Sequence, residues 1–133
     1  MITEQTVIEA KRFGVFSCTI KCPLSEAARR MVEEDISTLV VVDEDGFLAG
    51  VLTRTDLLRA WLEAEIWQVK LVKEYMNSNV VTVPPHTRLS RVAELLLDKQ
   101  IHRVVVTREE EGKQRPLSVV SAADLVYHML NAL

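Results

Sequence analysis

The chain has 133 residues, enough for one average domain or two small units sharing a core, and its 48% hydrophobic and 26% charged residues exclude a disordered chain. A formal net charge of -3 with no long Lys/Arg run argues against a nucleic-acid surface, and no apolar run approaches the roughly 20 residues needed to cross a bilayer. Residues 1–11 carry two Glu and no apolar core, which reads against a secretory signal and for a cytoplasmic protein.

In chain order, Phe16-Ser17-Cys18 is a short extended piece. Leu24, Ala27, Ala28, Met31 and Val32 then recur at helical spacing with charges opposite. Leu39-Val40-Val41-Val42 reads as a strand buried on both faces. Asp45-Gly46 is a hairpin-turn pair, and Leu48 to Leu52 is the returning strand. A helix opens at Thr53, and the stripe Leu57, Leu58, Trp61, Leu62 and Ile66 extends it to about Lys70. Val72 to Met76 leads into a second extended piece, Val80 to Val83, which Pro84-Pro85 ends. Leu89, Val92, Ala93, Leu96 and Leu97 form the next apolar helix stripe. Val104-Val105-Val106 is a strand, Glu109 to Arg115 a charged solvated loop, and Leu117 to Val120 a strand. The last helix opens at Ser121.

The second half repeats the first at an offset of 65 residues. Leu24, Ser25, Ala28, Ile36, Val40 and Val41 fall on Leu89, Ser90, Ala93, Ile101, Val105 and Val106. After Glu44/Glu109 the second copy holds three extra residues, and then Val51, Asp56 and Leu57 match Val119, Asp124 and Leu125. The fold class is therefore α/β (α+β), two β-α-β-β-α units. Each is too small to be stable alone, so they are expected to pack as a pseudo-twofold pair. The boundaries read as an N-terminal segment 1–13, a first unit 14–70 ending in a long helix, and a second unit 71–133.

The sequence resembles a tandem pair of cystathionine-β-synthase (CBS) domains, a Bateman module. The resemblance rests on residues 36–46 followed by Gly50-Val51-Leu52-Thr53-Arg54-Thr55-Asp56. In copy two it rests on Ile101-His102-Arg103-Val104-Val105-Val106 and Ser118-Val119-Val120-Ser121-Ala122-Ala123-Asp124. Lys73 to Met76, ahead of Val81-Thr82-Val83, also looks like the family's lead-in segment. Leu39 and Val104 stand where the family usually has Pro, and Ser118 where it has Gly, which would narrow the space near copy two's site.

Thr53-x-x-Asp56 and Ser121-x-x-Asp124 admit two readings that can coexist. One is a capping box that satisfies the first N–H groups of a helix. The other is a ligand site: a helix N-terminus favours phosphate, and an Asp one turn in can accept a ribose diol. The resemblance implies that these positions contact phosphate and ribose. His102-Arg103 is either an exposed pair or a phosphate contact, since Arg presents a planar fork to phosphate. Copy one has Ser37-Thr38 there, with Arg54 as a compensating cation. The two sites expected are Thr82, Val83, His102, Arg103, Val104, Ser121 and Asp124, and Ser17, Cys18, Ser37, Thr38, Thr53, Arg54 and Asp56. Cys18, Val83 and Val104 are candidates for an apolar adenine slot. Arg12 and Lys21 are further phosphate candidates.

Cys18 and Cys22 are too few for a zinc site and read as free thiols, and His86, His102 and His128 show no metal spacing. Trp61 and Trp67, about 600° apart on a helix, do not share a face; one is expected in the core, the other in the core or at a dimer contact. No nucleophile–base pair or acid–base pair appears, so the chain reads as a non-enzyme. The expected function is a regulatory module binding an adenosine nucleotide (AMP, ADP or ATP, with S-adenosylmethionine or NAD also open) and requiring no cofactor. It would be a homodimer, without nucleic acid or membrane, signalling to an effector protein of unknown identity. The alternative is a ligand-free dimerisation scaffold.

Overall fold

The computed structural model describes residues 5–10 and 14–133, with the backbone alone at residue 8. The elements in chain order are α1 (Val7–Ala10), β1 (Ser17–Thr19), α2 (Leu24–Glu33), β2 (Thr38–Val42), β3 (Leu48–Thr53) and α3 (Arg54–Glu63). Short 3-10 turns follow at Trp67–Val69 and Val72–Glu74, then β4 (Thr82–Val83), α4 (Leu89–Lys99), β5 (Arg103–Glu110), β6 (Lys113–Ser121) and α5 (Ala122–Asn131). They group into two units, Phe16–Val80, and Val81–Leu133 with the N-terminal segment. Each is a mixed α+β unit of order β-α-β-β-α with one three-stranded sheet.

The two sheets are built alike. β2 runs parallel to β1 and antiparallel to β3; β5 runs parallel to β4 and antiparallel to β6. The central strands are the β-branched runs, with Leu39, Val40, Val41, Val104, Val105 and Val106 all fully buried. Alternation sorts their side chains. Cys18, Leu39, Val41 and Leu52 face the helices of the first unit, where they meet Leu24, Ala27, Met31, Ala60 and Val72. Val83, Val104, Val106 and Val120 do the same in the second unit, against Leu89, Val92, Leu96 and Val7. Burying one such Leu or Val stabilises by about 1.5–3 kcal/mol. Helices α2 and α4 end alike. Asp35 and Gln100 take left-handed φ values of 50° and 54°. The next N–H groups, of Ile36 and Ile101, then bond back to Met31 and Leu96 at 3.0 and 3.1 Å.

The repeat reaches further toward the N-terminus than the residue identities indicate. Leu24 N–H bonds to Lys70 O and Val72 N–H to Cys22 O, both at 2.8 Å. In the second unit Leu89 N–H bonds to Gln5 O at 3.0 Å and Val7 N–H to Thr87 O at 2.8 Å. All four positions correspond at the offset of 65. Glu74 caps the Leu71 N–H at 2.7 Å, as Glu9 caps that of Thr6 at 3.3 Å. Val72 and Val7 are each buried in their unit's core. The clip of the first unit thus lies in the sequence just before repeat two, and the clip of the second just before repeat one.

Two expectations need correction. The helix opened by Thr53 stops at Glu63, because Ala64 is extended (φ -118°, ψ 128°) and the chain turns back to lay Trp67 and Val72 on the first core. Along its apolar stripe Leu58, Trp61, Leu62 and Ile66 are exposed, while Leu57 and Ala60 face inward. Of the two tryptophans, Trp67 packs on the core, as expected of one of them, and Trp61 is exposed. Residues 109–115 are not a loose loop: β5 and β6 pair out to Glu110↔Lys113. Thr107 Oγ1 bonds Gln114 at 2.7 Å, and Arg115 Nε and Arg108 Nη2 donate to Glu110 at 2.8 and 3.0 Å, holding its carboxyl below the usual range.

Candidate functional site

Each β-α corner carries one candidate constellation. In the first unit Thr53 ends β3 and caps α3, opposite Thr38 at the start of β2. The Arg54 N–H bonds to Ser37 O at 3.2 Å, which ties the helix start to the neighbouring strand. Asp56, 8% exposed, accepts from Thr53 N–H at 2.8 Å and Thr53 Oγ1 at 3.0 Å. Its own N–H reaches Thr53 Oγ1 at 3.4 Å, completing the box. The second unit repeats this. Ser121 stands opposite Arg103, the Ala122 N–H bonds to His102 O at 3.0 Å, and Asp124 accepts from Ser121 N–H and Oγ at 2.8 and 3.1 Å. The capping reading therefore holds at both corners. Each helix N-terminus still adds partial positive charge there.

The remaining predicted residues divide by sheet face. Ser17 pairs with Val40, two residues along β2 from Thr38, so both share the face away from the helices; Thr82, paired with Val105, is placed likewise beside Arg103. Cys18, Val83 and Val104 lie on the opposite, helix-side face within the two cores. Their side chains are not brought together with the hydroxyls and Asp residues. Thr38 Oγ1 is buried without a hydrogen-bond partner among the described residues. Arg54 turns outward to Asp35 at 3.6 Å, and Lys21 pairs with Glu44 at 3.3 Å, both exposed. Arg12 lies outside the described residues.

Two arginines were not singled out from the sequence. Arg30, on α2, donates to the Ser17 carbonyl. Arg59 donates to Asp56 Oδ1 at 2.9 Å. Its spacing of three residues from Asp56 on one helix was the signal available. Cys18 and Cys22 are free thiols. Burial, with the neighbouring Cys22, pushes the Cys18 thiol up to about 12; burial, then Glu26, raises that of Cys22. No group of metal-binding side chains occurs among the described residues, and none of their helices is long and apolar enough to cross a membrane.

The sequence profile of the CBS domain matches residues 3–63 and again 72–131. The chain belongs to the CBS-domain family. It is 31% identical over 128 residues to an uncharacterised 33.4 kDa protein of Thermofilum pendens, covering 92% of this chain and 42% of that one. It is 27% identical over 95 residues to the uncharacterised protein YlbB of Bacillus subtilis, covering 71% and 64%. The chain thus spans less than two thirds of the length of these curated relatives. Among solved structures, the CBS domain pair of protein MJ0100, in complex with 5'-methylthioadenosine and S-adenosyl-L-methionine, superposes with a TM-score of 0.84 at 22% identity, over 98% of this chain and 100% of that one. CBS domain pairs are in general regulatory ligand-binding modules rather than catalytic ones.

Proposed function

We propose that this CBS pair is a regulatory module that binds an adenosine nucleotide at the second-repeat corner and passes the signal to a partner chain or through its own homodimer. One observation carries the reading: Arg103 stands directly opposite Ser121 at the N-terminus of α5. A guanidinium, a hydroxyl and a helix start with its partial positive charge are thereby gathered at one corner, which is the chemistry that holds a phosphate. Asp124, one turn into the helix, supplies a carboxylate for the ribose. The equivalent corner of repeat one has Thr38 in place of Arg103 and so lacks that charge. The adenosine compounds held by the MJ0100 pair support the ligand class.

Calorimetric titration with AMP and adenosine tests this. Loss of one charge-assisted hydrogen bond costs ~1.5–3 kcal/mol, so Asp124→Ala should weaken both ligands roughly 10–150-fold. Arg103→Ala should weaken AMP and spare adenosine. If both variants bind both compounds as the parent does, the assigned corner is wrong. If the parent binds neither, the chain is a ligand-free scaffold.

A further inference from the structure

The first unit holds a thiol pair that the corner chemistry does not use. Cys18 lies on β1, paired with Val41, and the Cys22 N–H bonds back to Thr19 O at 3.1 Å, so a tight turn returns Cys22 to the end of the strand. The turn is anchored on both sides: Ile20 N–H bonds to Val42 O at 3.1 Å and Val72 N–H to Cys22 O at 2.8 Å. Both side chains pack in the same core cluster, and the two thiols are hydrogen-bonded to each other. Cys18 is 7% exposed, whereas Cys22 is partly open to solvent. At the offset of 65 the corresponding residues are Val83 and Thr87. Val83 is buried in the second core as Cys18 is in the first. The same unit is thus built in this chain without sulfur at either position, so packing alone does not call for the pair.

We propose that Cys18 and Cys22 are a reversible oxidation site, which a low-molecular-weight disulfide of the glutathione class converts into an intramolecular bridge between the end of β1 and the approach to α2. The inference does not rest on what the corners bind. Cys22, the accessible thiol, gives its proton to solvent, and its sulfur attacks one sulfur of the reagent. The reagent's S–S bond breaks, and one of its halves leaves as a thiolate that takes up a proton. Cys18 then loses its proton and attacks the Cys22 sulfur, which expels the second reagent thiol as the protein S–S bond forms. Two protein thiols are oxidised, one reagent disulfide is reduced to two thiols, and two protons pass to the leaving groups. Burial keeps Cys18 protonated, so it is not the first to attack. Held against Cys22 by the turn, it then competes for that sulfur at an effective concentration that a free thiol does not reach.

The experiment treats the full reduced chain with oxidised glutathione in mildly alkaline buffer, blocks remaining thiols with N-ethylmaleimide and reads the intact mass. The expected product has lost two hydrogens and takes up maleimide only after reduction with dithiothreitol. Trypsin, which cuts after Arg12, Lys21 and Arg29, should then release peptides 13–21 and 22–29 joined by a bond that dithiothreitol breaks. Cys18→Ser should stop halfway, with one glutathione held on Cys22. A thermal melt establishes that this variant folds, and Cys18→Val, with the residue of repeat two, replaces it if it does not. Two thiols still open to maleimide after the oxidant overturn the proposal. So does a parent chain that retains a glutathione adduct, or one whose only disulfide joins two chains.

Discussion

Gly50 is fixed by its neighbour, not by its backbone angles. A Cβ there would lie 2.7 Å from Asn77 O and 3.1 Å from Met76 Sδ. Asn77 is bridged to Val51 by hydrogen bonds of 2.9 and 3.0 Å, so its carbonyl cannot retreat without breaking that bridge. Gly50→Ala should therefore cost about 1–3 kcal/mol of stability, read as a lowered urea midpoint; an unchanged midpoint would contradict the close approach. The buried Cys18 thiol makes a second prediction. Its proton is held up to about pH 12 in the folded chain, against 9.0 for an unperturbed thiol. Below pH 9.0 both states keep the proton, and folding does not depend on it. Between those values the unfolded chain releases the proton and the folded chain does not, so stability falls as pH rises, by up to about 1.4 kcal/mol per unit. Urea melts at pH 8 and pH 10.5 should show a smaller alkaline loss in Cys18→Ala than in the parent, and equal losses would remove Cys18 as the cause. The Thr53/Asp56 and Ser121/Asp124 boxes were readable from spacing because capping is local. The Arg59 contact was not, because it also depends on where the 3-10 turn at Val72–Glu74 delivers Tyr75.

The clips are where element-level reading fell short. α1 and the 3-10 turn at Val72–Glu74 share only Val7/Val72 and Glu9/Glu74, too few identities to announce a repeat. What they have in common is mostly backbone hydrogen bonding, which leaves little mark on side-chain choice. The strands and the helices α2 and α4 were legible because their period of burial is written in Leu, Ala and Val. The extent of α3 was not: its apolar stripe continues past Glu63, and only the need to bury Trp67 and Val72 ends it. The clips give a matched prediction. Val7 and Val72 are each at most 1% exposed, so Val7→Ala and Val72→Ala should each cost roughly 2 kcal/mol from lost burial and the cavity left behind. Hydrogen exchange would separate them: Val7→Ala should loosen β4–β6 and α4 first, and Val72→Ala should loosen β1–β3 and α2 first. If Val7→Ala leaves the second unit's protection unchanged, α1 is not its clip.

At the scale of the whole molecule the question is what covers the exposed faces of α3 and α5. On α3, Leu58, Trp61 and Leu62 are exposed, and on α5 so are Val126, Tyr127, Met129 and Leu130. Leu62 alone is 81% exposed, on a helix whose inward side is already filled by Leu57 and Ala60. Exposed apolar residues clustered on a helix face mark an association surface. A second copy of the chain is the occupant proposed, since a twofold contact between identical faces is the commonest closed assembly and needs only one self-complementary patch. Such an assembly would also give a bound nucleotide a route of action. α5 begins at the proposed site, at Ser121 and Asp124, and presents Val126 to Leu130 one to two turns further on. A ligand that pulls on the start of α5 shifts the surface a second chain would read. Light scattering at micromolar concentration should give twice the chain mass, and Leu62→Asp with Leu130→Asp should halve it while leaving the far-ultraviolet dichroism unchanged. AMP should then shift the dimerisation constant of the parent, and by linkage dimerisation should shift AMP affinity by the same factor. A parent chain that scatters as a monomer would contradict the dimer. A dimer whose affinity for itself is indifferent to AMP would leave the effector, not the dimer, as the route by which binding is read.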